Sequence, residues 1–383
     1  MEYRLDELFD LQMGKTPSRN KSEYWNSADH KWISISDLSK CGKYIYDTKE
    51  YLSNKAVEES GISQIPANTV VMSFKLSIGK TAITSEPIYS NEAIMSFRDK
   101  HLVELMPDYV FYMFSGKDWE SGTNKAVMGK TLNKATLSAI KVNVHPISEQ
   151  REIVEVLDKV SEIIEYRQKE ISKLDELIKA RFVEMFGDLK LNPFGWELHN
   201  FDELSELITD GEHATPRRVS KGIYLLSARN VLNHSLQLED VDYIDQTEYD
   251  RIAKRVVPIE GDVLISCSGT VGRCCSVPAG LRFQMVRSAA LVRFKPNINP
   301  IFAEYMITSD FLQDQINCSK TASSQANLFQ GKIAKLKGFM PPIELQNQFV
   351  SFVKQVDKSK EVVQKALDEA QVLFDSLMQE YFG

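Results

Sequence analysis

No apolar run in the 383-residue sequence approaches 18 residues, so no membrane-spanning helix is expected. The opening MEYRLDELFD holds no apolar leader core, so no signal peptide is expected either. Cysteine is scarce. The five residues Cys41, Cys267, Cys274, Cys275 and Cys318 are an odd number without a C-x-x-C pair, which argues against a disulfide framework and a zinc site and for a reducing, cytoplasmic setting. Positive charge is not in excess, the formal net charge being −7. What is present, 43% hydrophobic and 26% charged residues, describes a globular chain with apolar material for more than one core. The acidity is uneven: net 0 over residues 1–146, −3 over 147–187, −1 over 188–342 and −3 over 343–383. The near-neutral segments leave room for a local basic face, and net charge by itself does not decide on nucleic acid.

Signatures of catalysis are also missing. Gly79-Lys80-Thr81 resembles the end of a phosphate-binding loop, but position 74, where the motif needs glycine, is Phe. Asn192-Pro193-Phe194 lacks the second proline of the adenine-methyltransferase motif, and no glycine-rich methyl-donor loop follows a strand. The histidines, His199, His213 and His234 among them, show no metal-ligand spacing. Asp210, Glu212 and His213 read as a polar turn, and Cys274-Cys275 as buried packing. Ser268-Gly269-Thr270 lacks the frame of a hydrolase nucleophile. No catalytic, cofactor-binding or metal-binding residue is assigned.

Residues 147–187 carry no glycine or proline before the last position and predict one helix of about 40 residues, roughly 60 Å long. A seam with alternating spacings of three and four runs through Leu157, Val160, Ile164, Arg167, Ile171, Leu174, Ile178, Arg181 and Met185, which is coiled-coil periodicity. Adding 196 to each number gives a second seam: Val353, Val356, Lys360, Val363, Leu367, Ala370, Phe374, Leu377 and Tyr381. Both helices start alike, Pro146-Ile147 with Gln150 and Pro342-Ile343 with Gln346, and both end on Phe-Gly. The globular segments repeat too. Leu5-Asp6-Glu7-Leu8 matches Phe201-Asp202-Glu203-Leu204, and Ile78-Gly79-Lys80 parallels Val271-Gly272-Arg273.

The chain therefore divides into a globular domain at 1–146, a helix at 147–187, a linker and second domain at 188–342, and a second helix at 343–383. Short strands such as 69–74, 263–267 and Ala289–Phe294, with helices at Pro107–Ser115 and 300–312, give α+β domains. Helices leaving opposite ends of such a chain would pair antiparallel; the alternative is that each packs only on its own domain. Arg167 and Lys360, polar in apolar seams, are candidates for fixing register.

Three loop pairs recur at matching places and carry hydroxyls, glycine amides and cations suited to phosphates and base edges. The first pair offers Lys15, Thr16 and Arg19, then Thr215, Arg217 and Arg218. The second offers Lys75, Ser77 and Lys80, then Ser268, Thr270 and Arg273. The third offers Lys130 between Lys125 and Lys134, then Gln325 and Asn327, amides able to read adenine in a bidentate way.

The order of these features resembles a specificity subunit of a type I restriction-modification system over nearly the whole chain. The resemblance rests on the Thr-Pro loops (Thr16-Pro17, Thr215-Pro216), the glycine loops, Leu132-Asn133 and Asn327-Leu328, the Pro-Ile/Gln helix starts, and Asn192-Pro193-Phe194-Gly195-Trp196. It departs where Asn91-Glu92-Ala93-Ile94 faces Arg287-Ser288-Ala289-Ala290, and where Met13-Gly14-Lys15 faces Asp210-Gly211-Glu212-His213. It implies two target-recognition domains held apart by two long helices, the inner seams formed by Leu157, Val160, Ile164, Ile171, Leu174, Ile178, Val353, Val356, Val363, Leu367, Phe374 and Leu377. It further implies a non-catalytic subunit that reads a bipartite double-stranded DNA target and recruits two methyltransferase subunits and restriction subunits. S-adenosylmethionine, ATP and Mg would come with those partners. A scaffold or decoy that holds methyltransferase subunits without reading DNA is the alternative.

Overall fold

The two glycine- and proline-free stretches form helices of 40 residues each, Ile147–Phe186 (α1) and Ile343–Phe382 (α2). The structure, a computed structural model, describes residues 1–75, 77–119, 132–319 and 327–383. The chain separates into two compact units. Unit 1 gathers Met1–Gln168 with Lys365–Gly383, and unit 2 is Lys169–Gln364. Each helix thus contributes one half to each unit, and the two changeover points, after Gln168 and after Gln364, are equivalent in the repeat.

In unit 1 a five-stranded sheet has the order Phe9–Met13, Ile94–Asp99, Val70–Ser73, Thr81–Thr84, Tyr44–Ile45. Val70–Ser73 is buried throughout, because side chains alternate across a sheet covered on both faces. Val70 and Met72 join the core formed with Pro107–Ser115, while Val71 joins a smaller one with Ile33, Ile45 and Ile88. A second sheet, Glu50–Leu52, His30–Ile33, Tyr89–Ser90, lies alongside it in sequence. Ile153, Val154 and Leu157 of α1 enter the first core together with Met378 of α2, and Phe374, Leu377, Tyr381 and Phe382 pack on it.

Unit 2 repeats this plan. Its main sheet runs Ser205–Asp210, Ala289–Phe294, Val263–Ser266, Cys274–Ser276, and its second sheet Asp242–Ile244, Ile223–Leu226, Phe283–Met285. Val263 and Ile265 face one core and Leu264 the other. The first of these cores contains Ile178, Phe182 and Phe186 of α1 with Phe349, Val350, Val353 and Val356 of α2. Phe182 and Phe349 meet at 5.4 Å between ring centres.

Within each unit, then, the end of one helix that lies early in its sequence packs beside the late end of the other, which makes the pairing antiparallel. The helix halves pack on each other and on the globular domain together. Leu157, Val160, Ile178, Val353, Val356 and Val363 are buried, whereas Ile164, Ile171, Leu174, Leu367, Phe374 and Leu377 are half-buried. Lys360 reaches Asp175 of α1 at 2.5 Å, a cross-helix ion pair. Arg167 lies 5.7 Å from the ring centre of its own neighbour Tyr166.

One feature of the sequence reading changes. The helix expected over 300–312 is two helices, Pro300–Thr308 and Asp310–Ser319. Ser309 breaks it with an extended backbone (ψ 150°), its hydroxyl bonding back to the Met306 carbonyl at 2.6 Å. The segment Asn192-Pro193-Phe194-Gly195-Trp196 closes the end of α1. The Asn192 side chain holds both the amide and the carbonyl of Trp196, whose indole donates to the Phe186 carbonyl at 2.9 Å. Among the described residues no helix is long and apolar enough to cross a membrane.

Candidate nucleic-acid interface

Each glycine loop is pinned by a buried serine at the end of a central strand. In unit 1 the Lys80 amide donates to Ser73 Oγ at 3.1 Å and the Gly79 amide to the Ser73 carbonyl at 2.9 Å, while the Ser73 hydroxyl donates to the Ser77 carbonyl. In unit 2 Ser266 takes the same three contacts, from the Arg273 and Gly272 amides at 3.0 and 2.9 Å and to the Thr270 carbonyl at 2.7 Å. The loops therefore present Lys75, Ser77 and Lys80, or Ser268, Thr270 and Arg273, on a fixed backbone, with Ser77, Lys80 and Thr270 exposed. Ser73 and Ser266 do the fixing; the sequence shows them as the matching first residues of the two loops, Ser73–Lys80 and Ser266–Arg273, but not this role.

The first two loops of each unit meet on one short segment, and the described end of the third joins the second loop. In unit 1 that segment is residues 90–94. The Lys15 amide donates to the Ser90 carbonyl at 2.8 Å, the Gly14 amide to Ile94 at 3.1 Å, and the Phe74 amide to Ala93 at 3.0 Å. Leu132 joins through its amide to the Phe74 carbonyl at 3.3 Å. In unit 2 the segment is residues 285–289. The Glu212 amide donates to Met285 at 2.8 Å, Gly211 to Ala289 at 3.1 Å, Cys267 to Ser288 at 2.7 Å, and Leu328 to Cys267 at 2.9 Å. Asn327 bridges Ser268 in antiparallel fashion. Gly14 and Gly211 are required by this crossing: a Cβ would lie 2.2 Å from the Ser90 carbonyl oxygen and 2.4 Å from that of Met285. Residues 90–94 and 285–289 are thus the junction of the site, and the bonds set Ile94 against Ala289 and Glu92 against Arg287, one residue away from the sequence pairing of 91–94 with 287–290.

The side chains follow this frame. Pro17 and Pro216 are buried, which leaves the residues beside them facing outward. Thr16 donates its hydroxyl to Glu92. That bond, with Lys75 and Arg19 further off, holds the Glu92 carboxyl below its usual range against the effect of partial burial. Arg19 pairs with Glu50 and stacks 3.8 Å from the Trp25 ring centre, and Lys15 donates to the Ser60 carbonyl at 2.6 Å. In unit 2, Arg217 pairs with Asp245 and Arg218 with Asp242, while exposed Thr215 precedes them. Arg229, Arg251 and Arg255, not anticipated from sequence, join Asp242, Glu212 and Asp210. Lys130 and Gln325 lie outside the described residues.

Many of these cations hold carboxylates of the same unit, so their charge is partly neutralised before any ligand arrives. Exposed pairs of this kind contribute little stability and exchange partners readily. A cleft of about 550 Å3 in unit 2, lined in part by Asp175, Phe182, His234 and Tyr305, contains none of the loop residues of the interface. Among the described residues no cluster of His, Cys, Asp and Glu could hold a metal ion.

A family described as the type I restriction modification DNA specificity domain matches residues 1–176. The type I restriction enzyme MjaIX specificity subunit of Methanocaldococcus jannaschii is 25% identical over 236 residues, 56% of this chain and 54% of that protein. The chain thus spans about half the length of that relative. The EcoprrI specificity subunit of Escherichia coli is 23% identical over 372 residues, 92% of this chain and 86% of that one. In fold, the type I restriction-modification S subunit from M. genitalium superposes with a TM-score of 0.55 at 12% identity, covering 100% of this chain and 96% of the other. Residues 1–176 thus resemble the type I restriction modification DNA specificity domain, nearly the whole chain is similar in sequence to a specificity subunit, and its twice-repeated fold is that of a solved S subunit.

Proposed function

We propose that this chain is the DNA-reading subunit of a type I restriction-modification complex, each unit reading one half of a bipartite target. The observation that carries this reading is the repeated junction: the same backbone crossing in both units, Gly14 on residues 90–94 and Gly211 on 285–289, presents different side chains. One scaffold with two sets of contacts is what recognition of two different half-sites needs. Fixed loops carrying hydroxyls, amides and cations suit both phosphates and base edges.

The reading assigns no catalytic step to this chain. Methyl transfer and cleavage belong to methyltransferase and restriction subunits, which would bring S-adenosylmethionine, ATP and Mg. The outward, acidic faces of α1 and α2 are the docking surface we assign to the methyltransferase subunits. Because Arg217, Arg218, Arg251 and Arg255 are already ion-paired, the isolated chain should bind DNA weakly, with the partners supplying further phosphate contacts.

The test is the methylated motif of host DNA with and without this gene. A bipartite motif that disappears on deletion supports the reading. Methyltransferase assembly with no such motif, and no sequence-selective, salt-dependent DNA binding by the assembled complex, establishes the scaffold instead.

A further inference from the structure

The junctions of the two units carry the same pair of charges in exchanged positions. Lys15 and Glu212 are structurally equivalent, since their amides donate to Ser90 and Met285 at the same point of the crossing. Glu92 and Arg287 are equivalent as well: each precedes the residue, Ala93 or Ser288, whose carbonyl receives the glycine-loop strand. Unit 1 thus has a cation on the first loop and an acid on the junction, and unit 2 has the reverse.

Within each pair one member is committed to the fold. Glu212 accepts from the Ala214 amide at 2.8 Å and from Arg251 at 3.3 Å. Lys15 is spent on the Ser60 carbonyl. The junction residues are the available members. Glu92 is exposed, with one carboxylate oxygen taken by Thr16. Arg287 is exposed, and its guanidinium has no ion pair among the described residues, unlike Arg217, Arg218, Arg251 and Arg255 around it. Its own amide donates to the Glu212 carbonyl at 3.0 Å, so the stem of the side chain is fixed at the crossing of the loops.

We infer that Arg287 and Glu92 are specificity-determining residues, Arg287 reading a guanine in one half-site and Glu92 the amino group of a cytosine in the other. The chemistry follows from the groups: a guanidinium fork matches guanine O6 and N7, and a carboxylate accepts from cytosine N4. A carboxylate is unsuited to a phosphate, so an exposed, anionic Glu92 at the centre of a cation-bearing surface makes sense against a base edge and not against the backbone. This inference rests on the DNA-reading function proposed above.

The experiment maps the methylated motif of the complex assembled with wild-type chain, R287Q, R287K and E92Q, with thermal melting of each variant. R287Q should lose discrimination at one guanine of a single half-site by about tenfold to a hundredfold, with the other half-site unchanged. R287K, which keeps the charge but not the fork, should fail to restore it. E92Q should relax a single position in the opposite half-site. Three results overturn the inference: an unchanged motif in R287Q and E92Q, rescue by R287K with uniformly weaker binding and a smaller salt slope (a phosphate contact), or relaxation of both half-sites by one substitution. If R287Q melts early, R287K decides, because it preserves charge and stem. A wild-type complex that yields no motif defeats the DNA-reading function itself, a result distinct from any of these.

Discussion

Gln150 and Gln346 show how much one side chain can organise. Both are fully buried near the start of a long helix. Gln150 accepts from the Met106 amide at 3.0 Å and donates to the Glu104 and His145 carbonyls at 2.9 Å each. Gln346 repeats the set with the Asn299 amide at 2.8 Å and the Asn297 and Pro341 carbonyls at 3.0 and 2.7 Å. Each glutamine thus ties its helix to the segment entering an earlier helix, Pro107–Ser115 or Pro300–Thr308. Gln346→Leu leaves three backbone groups without partners and should destabilise unit 2 by about 3 kcal/mol, read as a lower urea midpoint; a loss below about 1 kcal/mol would show that apolar packing alone seats the helix. The cysteines allow a second test. Burial pushes the Cys267 thiol up to about 12 and raises Cys274 and Cys275 as well. A thiol with a raised pKa stays protonated as pH rises, so moving from pH 7 to pH 9 leaves these three unreactive. In the native protein exposed Cys318 should react first with a disulfide reagent and half-buried Cys41 more slowly, the other three only after denaturation.

At the scale of elements, the helices were the most legible part of the sequence, because a 3.5-residue period has one structural solution over so many turns. The seam positions are those the structure buries or half-buries, and Lys360, polar in its seam, finds Asp175 on the other helix. Both partners keep some solvent exposure, so a double-mutant cycle with Lys360→Met and Asp175→Asn should return a coupling of about 0.5 to 1 kcal/mol that falls with added salt; zero coupling would mean the pair is incidental to register. The loops were legible as a set and not in their assembly. Their convergence depends on backbone bonds between residues such as Gly14 and Ile94, or Cys267 and Ser288, which no side-chain pattern encodes. The arginine partners on the helix Gln246–Ala253 were hidden for a related reason: Glu248 and Arg251 read as an ordinary solvated face until the fold brings residues 212–218 beside them. The break at Ser309 was missed because serine also occurs within helices, and only its bond to Met306 reveals the turn.

On the scale of the whole molecule, the repeat reaches into the division between units. Both changeovers fall at equivalent positions, between Gln168 and Lys169 in α1 and between Gln364 and Lys365 in α2. If the paired helices set the unread spacer of the target, these are the points at which length can be altered without touching either globular core. Seven residues continuing the heptad pattern, inserted at both points, keep the seam in phase and add about 10 Å of helix. At roughly 3.4 Å per base pair that amounts to about 3 base pairs. The methylated motif should then keep both half-sites and gain a spacer longer by that amount. Insertion into α1 alone gives the two helices unequal lengths, so their seams cannot stay in phase over the whole length, and should lower the melting temperature instead. An unchanged spacer in the well-folded double insertion would show that the DNA or the partner subunits, and not the helices, fix the distance between half-sites.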